Sequence, residues 1–347
     1  MINRAVVMTD IQKLEIREVP MPVCGDGDVL VKTNYVGICG SDAHFFETGE
    51  IGASIIHPPF ILGHEYSGTV TEVGKDVRNL KVGDRVTLEP GVPCGECSFC
   101  KAGRYNMCEK MSFKSSPPTD GLFCEYLTHP AHLAFKLPAS VSLIEGALME
   151  PLAVGMYASR MGDVKLGDTV LILGSGTIGL TTLLGCKERR AGKIIVTDMV
   201  DYRLEKAKAL GADYVINAGR ENVIDKVMEY TGGKGAQVVF ETAGSKYTAL
   251  QTSYCVARCG RIVMVGIVLG EIPFNFRQMN TKEADLKTIW RYCNEFPRAI
   301  EAVSQKAFSL DGLVTDEYNF TDAQAAFKKS IEDKEHVIKI VLKFCEE

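Results

Sequence analysis

The chain has 347 residues, so about two domains of ordinary size are expected. Its content of 46% hydrophobic and 24% charged residues is typical of a soluble globular protein. A net charge of −5 without a long basic run argues against nucleic acid or an anionic membrane as a partner.

Residues 1 to about 150 are predicted to be rich in β-strands. Short runs such as VLVKTNYVG, YSGTVTEVG and RVTLEP are separated by Gly, Pro and Asp, in the style of a small barrel. The first residues, MINRAVVMTDIQKLEIREV, alternate like a strand and lack the apolar core of a signal peptide. No run approaches the ~20 apolar residues of a transmembrane helix, and we expect a cytoplasmic protein.

From about residue 151 the pattern changes to strands that alternate with helices. DTVLILG, KIIVTD, DYVIN, AQVVFE and RIVMVG are predicted strands, and TIGLTTLLGCKERR and RLEKAKAL are among the predicted helices between them. This alternation predicts a doubly wound parallel sheet over residues 151–285. Residues 286–347, which contain LKTIWRYCN and a last helix–strand pair, are expected to rejoin the first domain.

The segment GSGTIG has the G-x-G-x-x-G spacing of a dinucleotide site. The pattern alone is weak, but here it follows the strand TVLIL and opens a helix, which is the context that the motif requires. Gly174 permits the tight turn, Gly176 lets the backbone approach a pyrophosphate, and Gly179 allows close packing of the helix. We therefore predict that a dinucleotide binds to this loop.

Asp198 ends the next predicted strand, where a carboxylate can accept hydrogen bonds from ribose hydroxyls. The same charge would repel a 2′-phosphate, which favours NAD over NADP. Arg203 complicates this prediction, because a nearby arginine can accept a 2′-phosphate. An alternative role for Asp198 is to cap the following helix.

Clustered cysteines in a long chain of this kind are expected to be metal ligands or catalytic residues rather than disulfides. Cys94, Cys97, Cys100 and Cys108 have the spacing C-x2-C-x2-C-x7-C, and four thiolates would close the tetrahedral shell of a structural zinc ion. A CxxC redox pair is the alternative, and it would leave Cys100 and Cys108 unexplained. Seven further cysteines are scattered along the chain: Cys24, Cys124, Cys186, Cys255, Cys259, Cys293 and Cys345. Most of these seven are predicted to be small buried hydrophobic residues.

A second group of candidate ligands is more widely spaced. It consists of Cys39 in GICGSDAH, His64 and Glu65 in GHE, and Glu150 in MEPLAVG. Thiolate, imidazole and carboxylate together suit zinc, and three protein ligands would leave a position for water or substrate. The spacing alone does not distinguish this group from structural residues.

Together these stretches resemble the zinc-dependent medium-chain alcohol dehydrogenase family over essentially the whole chain. The resemblance rests on GICGSDAH, GHEYSGTVTEVG, VGDRV, the four-cysteine segment, EPLAVG, GSGTIG and VTD. Within the family, the likeness is to polyol dehydrogenases of the sorbitol and xylitol type, through Ser41, His44, PPTDG at 117–121, Glu150 and Arg291–Tyr292. Simple alcohol dehydrogenases place a zinc-ligating cysteine at the position of Glu150, which argues against an ethanol-type enzyme.

The resemblance implies an α/β fold of two domains. A β-rich GroES-like catalytic domain would cover residues 1–150, completed by 286–347, and an NAD-binding Rossmann domain would cover 151–285. It also implies one catalytic and one structural zinc ion, NAD as cofactor, and a homo-oligomer, with a tetramer favoured.

The resemblance further implies roles for residues at the first zinc site. Cys39, His64 and Glu65 would ligate the catalytic zinc with water in the fourth position, and Glu150 would bond that water or exchange with it as a ligand. The zinc would favour loss of the alcohol proton, and a hydride would pass to the nicotinamide. Ser41 and His44 resemble the family's proton relay, although His44 could also be an ordinary loop histidine.

The remaining site residues come from the same resemblance. The predicted cofactor-binding residues are Gly174, Gly176, Ile178, Gly179, Asp198, Arg203, Val265, Gly266, Ile267 and Arg291. The predicted substrate residues are Phe45, Glu150, Arg291 and Tyr292. Phe45 stands where polyol dehydrogenases commonly carry Tyr, so one substrate-contacting hydroxyl is absent. Arg291 and Tyr292 could alternatively cover a barrel edge.

Three functions are therefore compared. The first is an NAD-dependent polyol dehydrogenase that makes a ketose, which Ser41 and the RYCN segment favour. The second is a dehydrogenase of another secondary alcohol, such as 2,3-butanediol or L-threonine. The third is a dinucleotide-binding protein without catalysis, against which the intact set of Cys39, His64 and Glu65 argues.

Overall fold

The computed structural model describes residues 2–272 and 274–345, and the chain divides into two compact units. The first unit consists of Met1–Glu150, Phe296–Lys306 and Leu310–Glu347, and the second of Pro151–Glu295 and Ala307–Ser309.

The first unit is built mainly from strands. Its strands before residue 150 are β1 (Asn3–Asp10), β2 (Lys13–Val19), β3 (Asp28–Ile38), β4 (Glu50–Ile51), β5 (Ser54–Ile55), β6 (Phe60–Ile61), β7 (Glu65–Val73), β8 (Arg85–Leu88), β9 (Gly91–Val92), β10 (Ser112–Phe113), β11 (Tyr126–Pro130) and β12 (Ala134–Lys136). Its helices there are α1 (Gly40–Thr48), α2 (Ser98–Lys101) and α3 (Leu143–Ala147), with 3-10 turns at Tyr105–Met107 and Ala131–Leu133. Helix α4 (Met149–Met161) follows.

The second unit alternates strands and helices. Its strands are β13 (Thr169–Leu173), β14 (Lys193–Asp198), β15 (Tyr214–Asn217), β16 (Ala236–Glu241), β17 (Val256–Met264) and β18 (Asp285–Thr288). Its helices are α5 (Thr177–Glu188), α6 (Asp201–Ala209), α7 (Val223–Tyr230), α8 (Lys246–Cys255) and α9 (Phe276–Asn280). The chain then forms α10 (Phe296–Ser304), β19 (Val314–Asn319), a 3-10 turn at Phe320–Asp322, α11 (Ala323–Glu332) and β20 (Lys339–Lys343).

The main sheet of the first unit has the order β12-β8-β7-β3-β20-β19, with β11 also paired to β3. β3 runs antiparallel to β7, and Gly37 pairs with Glu65. β20 pairs with the same end of β3, where Ile340 lies opposite Ile38. The end of β3, the start of β7 and the start of β20 therefore meet at one place in the sheet.

The sheet of the second unit is parallel, with the order β15-β14-β13-β16-β17-β18. This is the order of a doubly wound dinucleotide-binding fold, in which ligands bind beyond the carboxyl ends of the strands. Its central strands are buried on both faces, as Leu171, Val239 and Ile262 illustrate with 0% exposure. The predicted α/β architecture, with a β-rich unit and a Rossmann unit, is confirmed.

The end of the second unit differs from the sequence-based boundary at residue 285. Residues 286–295 lie in the second unit, because β18 pairs with β17 as the edge strand of the parallel sheet. β18 is mostly exposed, so it lacks the apolar run that marks the other strands in the sequence. Among the helices formed by the described residues, none has the length and apolar character needed to cross a bilayer.

Candidate metal centres and cofactor site

Three predicted ligands converge where β3, β7 and β20 meet. Cys39 directly follows β3 and begins helix α1, and His64 directly precedes β7, whose first residue is Glu65. One ligand atom from each of these three residues lies within 4.8 Å of the other two. The antiparallel pairing of β3 with β7 brings residues 39 and 65 together although they are distant in sequence.

The two carboxylate oxygens of Glu65 lie in different environments. Its Oε1 accepts a hydrogen bond of 2.7 Å from Lys339 Nζ, and both side chains are almost fully buried. Its Oε2 is buried and has no hydrogen-bond partner. A Cβ at residue 37 would overlap this oxygen, so Gly37 leaves room for the carboxylate. A buried carboxylate oxygen without a partner is costly unless a cation or donor satisfies it.

Lys339 connects two of the strands at this centre. Its Nζ also donates to the carbonyl of Ile38, the residue before Cys39, at 2.9 Å. Burial lowers the pKa of Lys339, but the carboxylate of Glu65 and the thiol of Cys39 outweigh it, and the pKa is raised above its ordinary value. The lysine therefore remains charged in the interior.

Asp42, on α1, lies behind His64. Its carboxylate accepts hydrogen bonds from the Cys39 N–H at 3.0 Å, the Gly63 N–H at 3.1 Å and the Ser115 hydroxyl at 2.7 Å. Burial raises the pKa of Asp42, but His64 and these donors outweigh it and lower the pKa below its usual range. His64 Nδ1 is 3.4 Å from Asp42 Oδ1, an ion-pair distance rather than a hydrogen bond. A carboxylate behind a histidine orients such a ligand in many metal sites.

Glu150 lies in the first turn of α4 and is 5% exposed. The ligand group at Cys39 does not include it. The negative charge of Glu150 helps to raise the pKa of Lys339, and it also contributes to a raised pKa of Glu89. Burial raises the pKa of Glu89 to about 7; a hydrogen bond with Tyr105 lowers the pKa in part, and the charge of Glu150 adds a smaller increase. The role of Glu150 at the metal stays a prediction.

The predicted relay residues share one face of α1. Ser41 and His44 are three residues apart on this helix, and both are half-buried. Phe45, in contrast, is 4% exposed and packs in the hydrophobic core of the first unit. The relay and substrate roles of these residues stay predictions.

The four-cysteine segment forms a second compact group. One sulfur atom from each of Cys94, Cys97, Cys100 and Cys108 lies within 4.8 Å of the others. The Cys97 and Cys100 sulfurs are 3.4 Å apart, and the Cys94 N–H points at Cys108 Sγ at 3.3 Å. None of the twelve cysteines, all of which are described residues, forms a disulfide.

Both groups fit zinc by their chemistry. The first offers sulfur, nitrogen and a carboxylate oxygen without a partner, a set with three protein ligands. The second offers four sulfurs, which complete a tetrahedral shell. A zinc ion held by the first group could accept a further ligand, such as water or substrate, whereas a zinc ion held by the four sulfurs of the second group could not.

The glycine loop lies at the carboxyl end of β13. Gly174 has a φ of +106°, and Gly176 begins helix α5. A Cβ at Gly179 would overlap the Gly174 carbonyl, so the helix packs against the turn only with glycine there. A Cβ at Gly176 would meet no other atom within 4 Å, which leaves the approach of a phosphate open. Ile178 lies in the first turn of this helix.

Asp198 ends β14 beside this loop. Its Oδ2 accepts a 2.7 Å hydrogen bond from the Ser175 N–H, and its Oδ1 accepts bonds from the N–H groups of Met199 and Val200. The carboxylate therefore holds the glycine loop as well as the turn into α6. The Arg203 carbonyl accepts a bond from the Ser175 hydroxyl, so residue 203 also lies beside the loop.

Two further loops follow the neighbouring strands. Thr242 donates its hydroxyl to the carbonyls of Leu173 and Gly174. The N–H groups of Val265 and Gly266 donate to the Glu241 carbonyl at 2.8 and 2.9 Å. Ile267 is 57% exposed. The predicted cofactor residues 174–179, 198 and 265–267 thus share the carboxyl edge of the sheet.

Arg291 and Tyr292 lie in the segment between β18 and α10. Tyr292 is buried, and Arg291 is partly exposed and lies over the Trp290 ring at 5.2 Å from its centre. Their contacts with cofactor and substrate stay predictions.

Sequence reasoning missed Asp42 and Lys339. Asp42 stands three residues after Cys39, the position of a capping acid, which was a usable signal. Lys339 stands in the apolar strand VIKIVLKF, and a lysine in such a strand needs a buried partner. The partner, Glu65, is 274 residues away, so the sequence did not identify it.

Family models match both units. Residues 25–139 match the alcohol dehydrogenase GroES-like domain, and residues 177–305 match the zinc-binding dehydrogenase domain. A zinc-type alcohol dehydrogenase-like protein of Escherichia coli, YdjJ, is 44% identical over 95% of each chain. The sorbitol dehydrogenase of Bacillus subtilis is 38% identical over 98% of this chain and 96% of its own.

Solved structures agree with these matches. An Escherichia coli dehydrogenase of unknown specificity, involved in membrane biogenesis, is 43% identical and covers 100% of both chains with a TM-score of 0.96. A zinc-binding dehydrogenase from Sinorhizobium meliloti, bound to NADP, is 27% identical, with a TM-score of 0.92 over 99% of this chain and 100% of its own. The 2R,3R-butanediol dehydrogenase of Bacillus subtilis is 31% identical, with a TM-score of 0.90 over the same shares. The chain therefore belongs to the zinc-dependent medium-chain alcohol dehydrogenase family.

Proposed function

We propose that this chain oxidises a polyol of the sorbitol or xylitol type to a ketose by hydride transfer to NAD. The observation that supports this proposal best is the convergence of Cys39, His64 and Glu65, with the buried Glu65 Oε2 free of a hydrogen-bond partner. The sorbitol dehydrogenases among the relatives, about 40% identical to this chain, support the choice of a polyol.

Cys39, His64 and Glu65 would hold the catalytic zinc ion. When bound, zinc supplies Lewis-acid chemistry that favours loss of the alcohol proton. Asp42 orients His64 from behind, and Lys339 leaves only one oxygen of Glu65 available as a ligand. Glu150 is buried, and its charge acts on Lys339 at this centre. It would bond a water at the metal or replace that water as a ligand.

Ser41 and His44 would carry the proton from the substrate hydroxyl to solvent. Both are half-buried on one face of α1, directly after Cys39, which suits a short path out of the site. Such a group raises a rate by roughly 10²- to 10⁴-fold when it transfers a proton in the rate-limiting step.

The glycine loop, Asp198, Arg203 and residues 265–267 would bind the dinucleotide, and its nicotinamide would accept the hydride. Asp198 favours NAD, because its charge would face a 2′-phosphate. Arg291 would contact both the cofactor and the polyol hydroxyls, together with Tyr292. The four cysteines would hold a structural zinc ion, and the family resemblance leads us to propose a cytoplasmic homotetramer.

A second candidate function is oxidation of another secondary alcohol, such as 2,3-butanediol or L-threonine. The similarity to a butanediol dehydrogenase supports it. The phenylalanine at residue 45 also supports it, because one hydroxyl expected in a polyol pocket is missing.

The test is NADH formation by the purified chain with sorbitol, xylitol, ribitol, galactitol, 2,3-butanediol and L-threonine. We expect the highest kcat/KM with a polyol. A preference for butanediol or threonine would select the second candidate, and no oxidation of any of the six would contradict both.

A further inference from the structure

The segment of residues 289–295, between β18 and α10, has no regular secondary structure. Arg291 and Asn294 have φ values of 54° and 59° in the left-handed region, which residues with a Cβ rarely adopt. Asparagine tolerates this region, but an arginine seldom adopts it, so the conformation of Arg291 indicates a backbone that its surroundings must hold in place. The segment carries Arg291 and Tyr292.

Arg160, near the end of α4, contacts the backbone of this segment. Its Nη2 donates a 2.8 Å hydrogen bond to the Cys293 carbonyl, and the Cys293 sulfur lies 3.7 Å from the same nitrogen. Its Nε lies 2.7 Å from Glu295 Oε1, an ion pair rather than a well-aligned hydrogen bond. The guanidinium carbon also lies 5.0 Å from the centre of the Tyr157 ring.

The acceptors of this contact are buried, although its arginine is only partly so. The Glu295 side chain is 0% exposed and Cys293 is 4% exposed, whereas the Arg160 side chain is 35% exposed. A buried ion pair is seldom a net source of stability, because a well-packed apolar pair of the same size often replaces it without loss. The contact therefore matters chiefly through the backbone conformation that it specifies, because both of its acceptors belong to the 289–295 segment.

Arginine is suited to this contact by its shape. The planar guanidinium presents several donors at fixed angles, so one side chain can reach a carbonyl and a carboxylate that are two residues apart. A lysine presents a single nitrogen and could not reproduce both contacts with the same geometry.

We propose that Arg160 is a positioning residue. It holds the 289–295 segment in the one conformation in which Arg291 and Tyr292 serve the cofactor and the polyol. The roles of those two residues rest on the proposed function; the anchoring of the segment by Arg160 does not.

The test uses a double variant, Arg160→Met with Glu295→Met, which removes both charges and leaves no buried carboxylate without a partner. Glu295→Gln is the conservative variant, because it keeps the Arg160 bond to the Cys293 carbonyl. The matched control is Arg261→Met with Asp168→Asn, which breaks a different, largely buried ion pair of the same unit, with 2.7 Å between Arg261 Nη2 and Asp168 Oδ2.

Two measurements are made on each variant. The first is steady-state kinetics with NAD and the best polyol of the panel. The second is the rate at which trypsin cleaves after Arg291, followed by mass spectrometry under native conditions, which reports on the segment without any substrate. Thermal unfolding and zinc content identify any variant that fails to fold.

In the double variant we expect KM for the polyol to rise about 10-fold, with a smaller change in kcat, because ground-state contacts with the substrate are lost. Cleavage after Arg291 should become about 10-fold faster. Glu295→Gln and the control pair should change both quantities by less than about 3-fold.

Unchanged KM in a folded double variant would overturn the inference, whether or not trypsin cleaves faster. An equal rise in KM in the control pair would also overturn it, because general destabilisation would then explain the effect. A wild-type chain that oxidises no polyol would contradict the proposed function instead. The rate of cleavage after Arg291 and the affinity for NADH, compared between wild type and double variant, would then decide whether Arg160 anchors the segment.

Discussion

At the scale of single residues, the Lys339–Glu65 pair determines which atoms the first metal centre offers. Lys339 occupies Oε1 of Glu65 and leaves Oε2 for a metal. It also contributes a buried positive charge beside two candidate ligands, Cys39 and Glu65, that would be anionic if they bound zinc. The contact fixes the carboxylate of Glu65, so less conformational freedom would be lost if a metal bound there.

We predict that Lys339→Met weakens zinc binding at the first centre by roughly 10- to 100-fold, the usual cost of losing a residue that orients a ligand. Lys339→Arg, which keeps a charged donor, should lose much less. The measurement is zinc per chain after dialysis against chelators of increasing strength.

The matched control for this prediction is Lys329→Met, which breaks the partly exposed pair with Asp316 in the same unit. This variant should retain zinc like the wild type. If Lys339→Met held both zinc ions as tightly as the wild type, Lys339 would have no part in orienting Glu65.

Asp198 gives a second prediction at this scale, which concerns the choice of dinucleotide. Asp198→Asn removes the charge that would face a 2′-phosphate and keeps one acceptor oxygen, either for the Ser175 N–H or for the N–H groups of Met199 and Val200. We expect the ratio of kcat/KM for NADP to that for NAD to rise at least about 10-fold, which corresponds to about 1.4 kcal/mol.

The control is Asp225→Asn, which changes an exposed carboxylate on α7. Its ratio of kcat/KM for NADP to that for NAD should equal the wild-type ratio. A wild-type chain that already prefers NADP would contradict the assignment of Asp198. An unchanged ratio in Asp198→Asn would leave the carboxylate as a cap of the following turn.

The sequence predicted the candidate ligands and the glycine loop, because short local motifs carry them. Cys39, His64 and the glycines from 174 to 179 stand in such motifs, and the structure brings the first two together with Glu65. Lys339 was beyond sequence reasoning, because its partner depends on how β20 pairs with β3. Arg160 was missed for the same reason, since its acceptors lie 133 residues or more along the chain.

At the scale of elements, sheet register places the first centre and a short cysteine segment forms the second. The antiparallel pairing of β3 with β7 puts Gly37 opposite Glu65, and a register shift of one residue would turn the glutamate to the other face. The four-cysteine segment contains only the short helix α2 and a 3-10 turn, and none of the α2 residues is buried. A zinc ion bound by the four thiolates would give such a segment a fixed conformation.

We predict that Cys100→Ser removes one zinc ion per chain and lowers Tm by about 5 °C or more, the shift that ~2 kcal/mol gives in a domain of this size. The reason is that three thiolates no longer complete the tetrahedral shell. Calorimetry and metal analysis of the same sample are the measurements.

Cys259→Ser, which changes an exposed thiol, is the control and should alter neither quantity. If Cys100→Ser kept two zinc ions and the wild-type Tm, the four cysteines would not form a structural site, and a redox role for Cys94 and Cys97 would regain support.

Of the strands of the parallel sheet, β18 was not predicted from the sequence. Strands β13 to β17 were anticipated because each contains an apolar run between turn residues, and even the edge strand β15 keeps such a run. β18 was not, because as an edge strand it exposes Leu286 and most of its other residues. Hydrophobic periodicity in a sequence reflects which residues are buried, so it does not reveal a strand whose residues are mostly exposed.

At the scale of the whole molecule, each compact unit carries its own part of the chemistry. The first unit contains both metal-ligand groups, and the second contains the glycine loop and the other loops at the carboxyl edge of its sheet. This division agrees with the two family models that match the chain. The doubly wound parallel sheet was predicted from the alternation of strands and helices, whereas the order of its strands is known only from the structure.

The central claim is that the centre at Cys39 carries out the oxidation and that the four-cysteine centre does not. The most direct measurement is the rate of NADH formation from a polyol by the wild type and by Cys39→Ala, with zinc per chain determined on the same samples. The wild type should contain two zinc ions and be active. Cys39→Ala should contain one, keep its affinity for NADH, and lose turnover by at least about 10³-fold, because no centre remains to favour loss of the alcohol proton. A Cys39→Ala chain that oxidises the polyol at the wild-type rate would contradict the account.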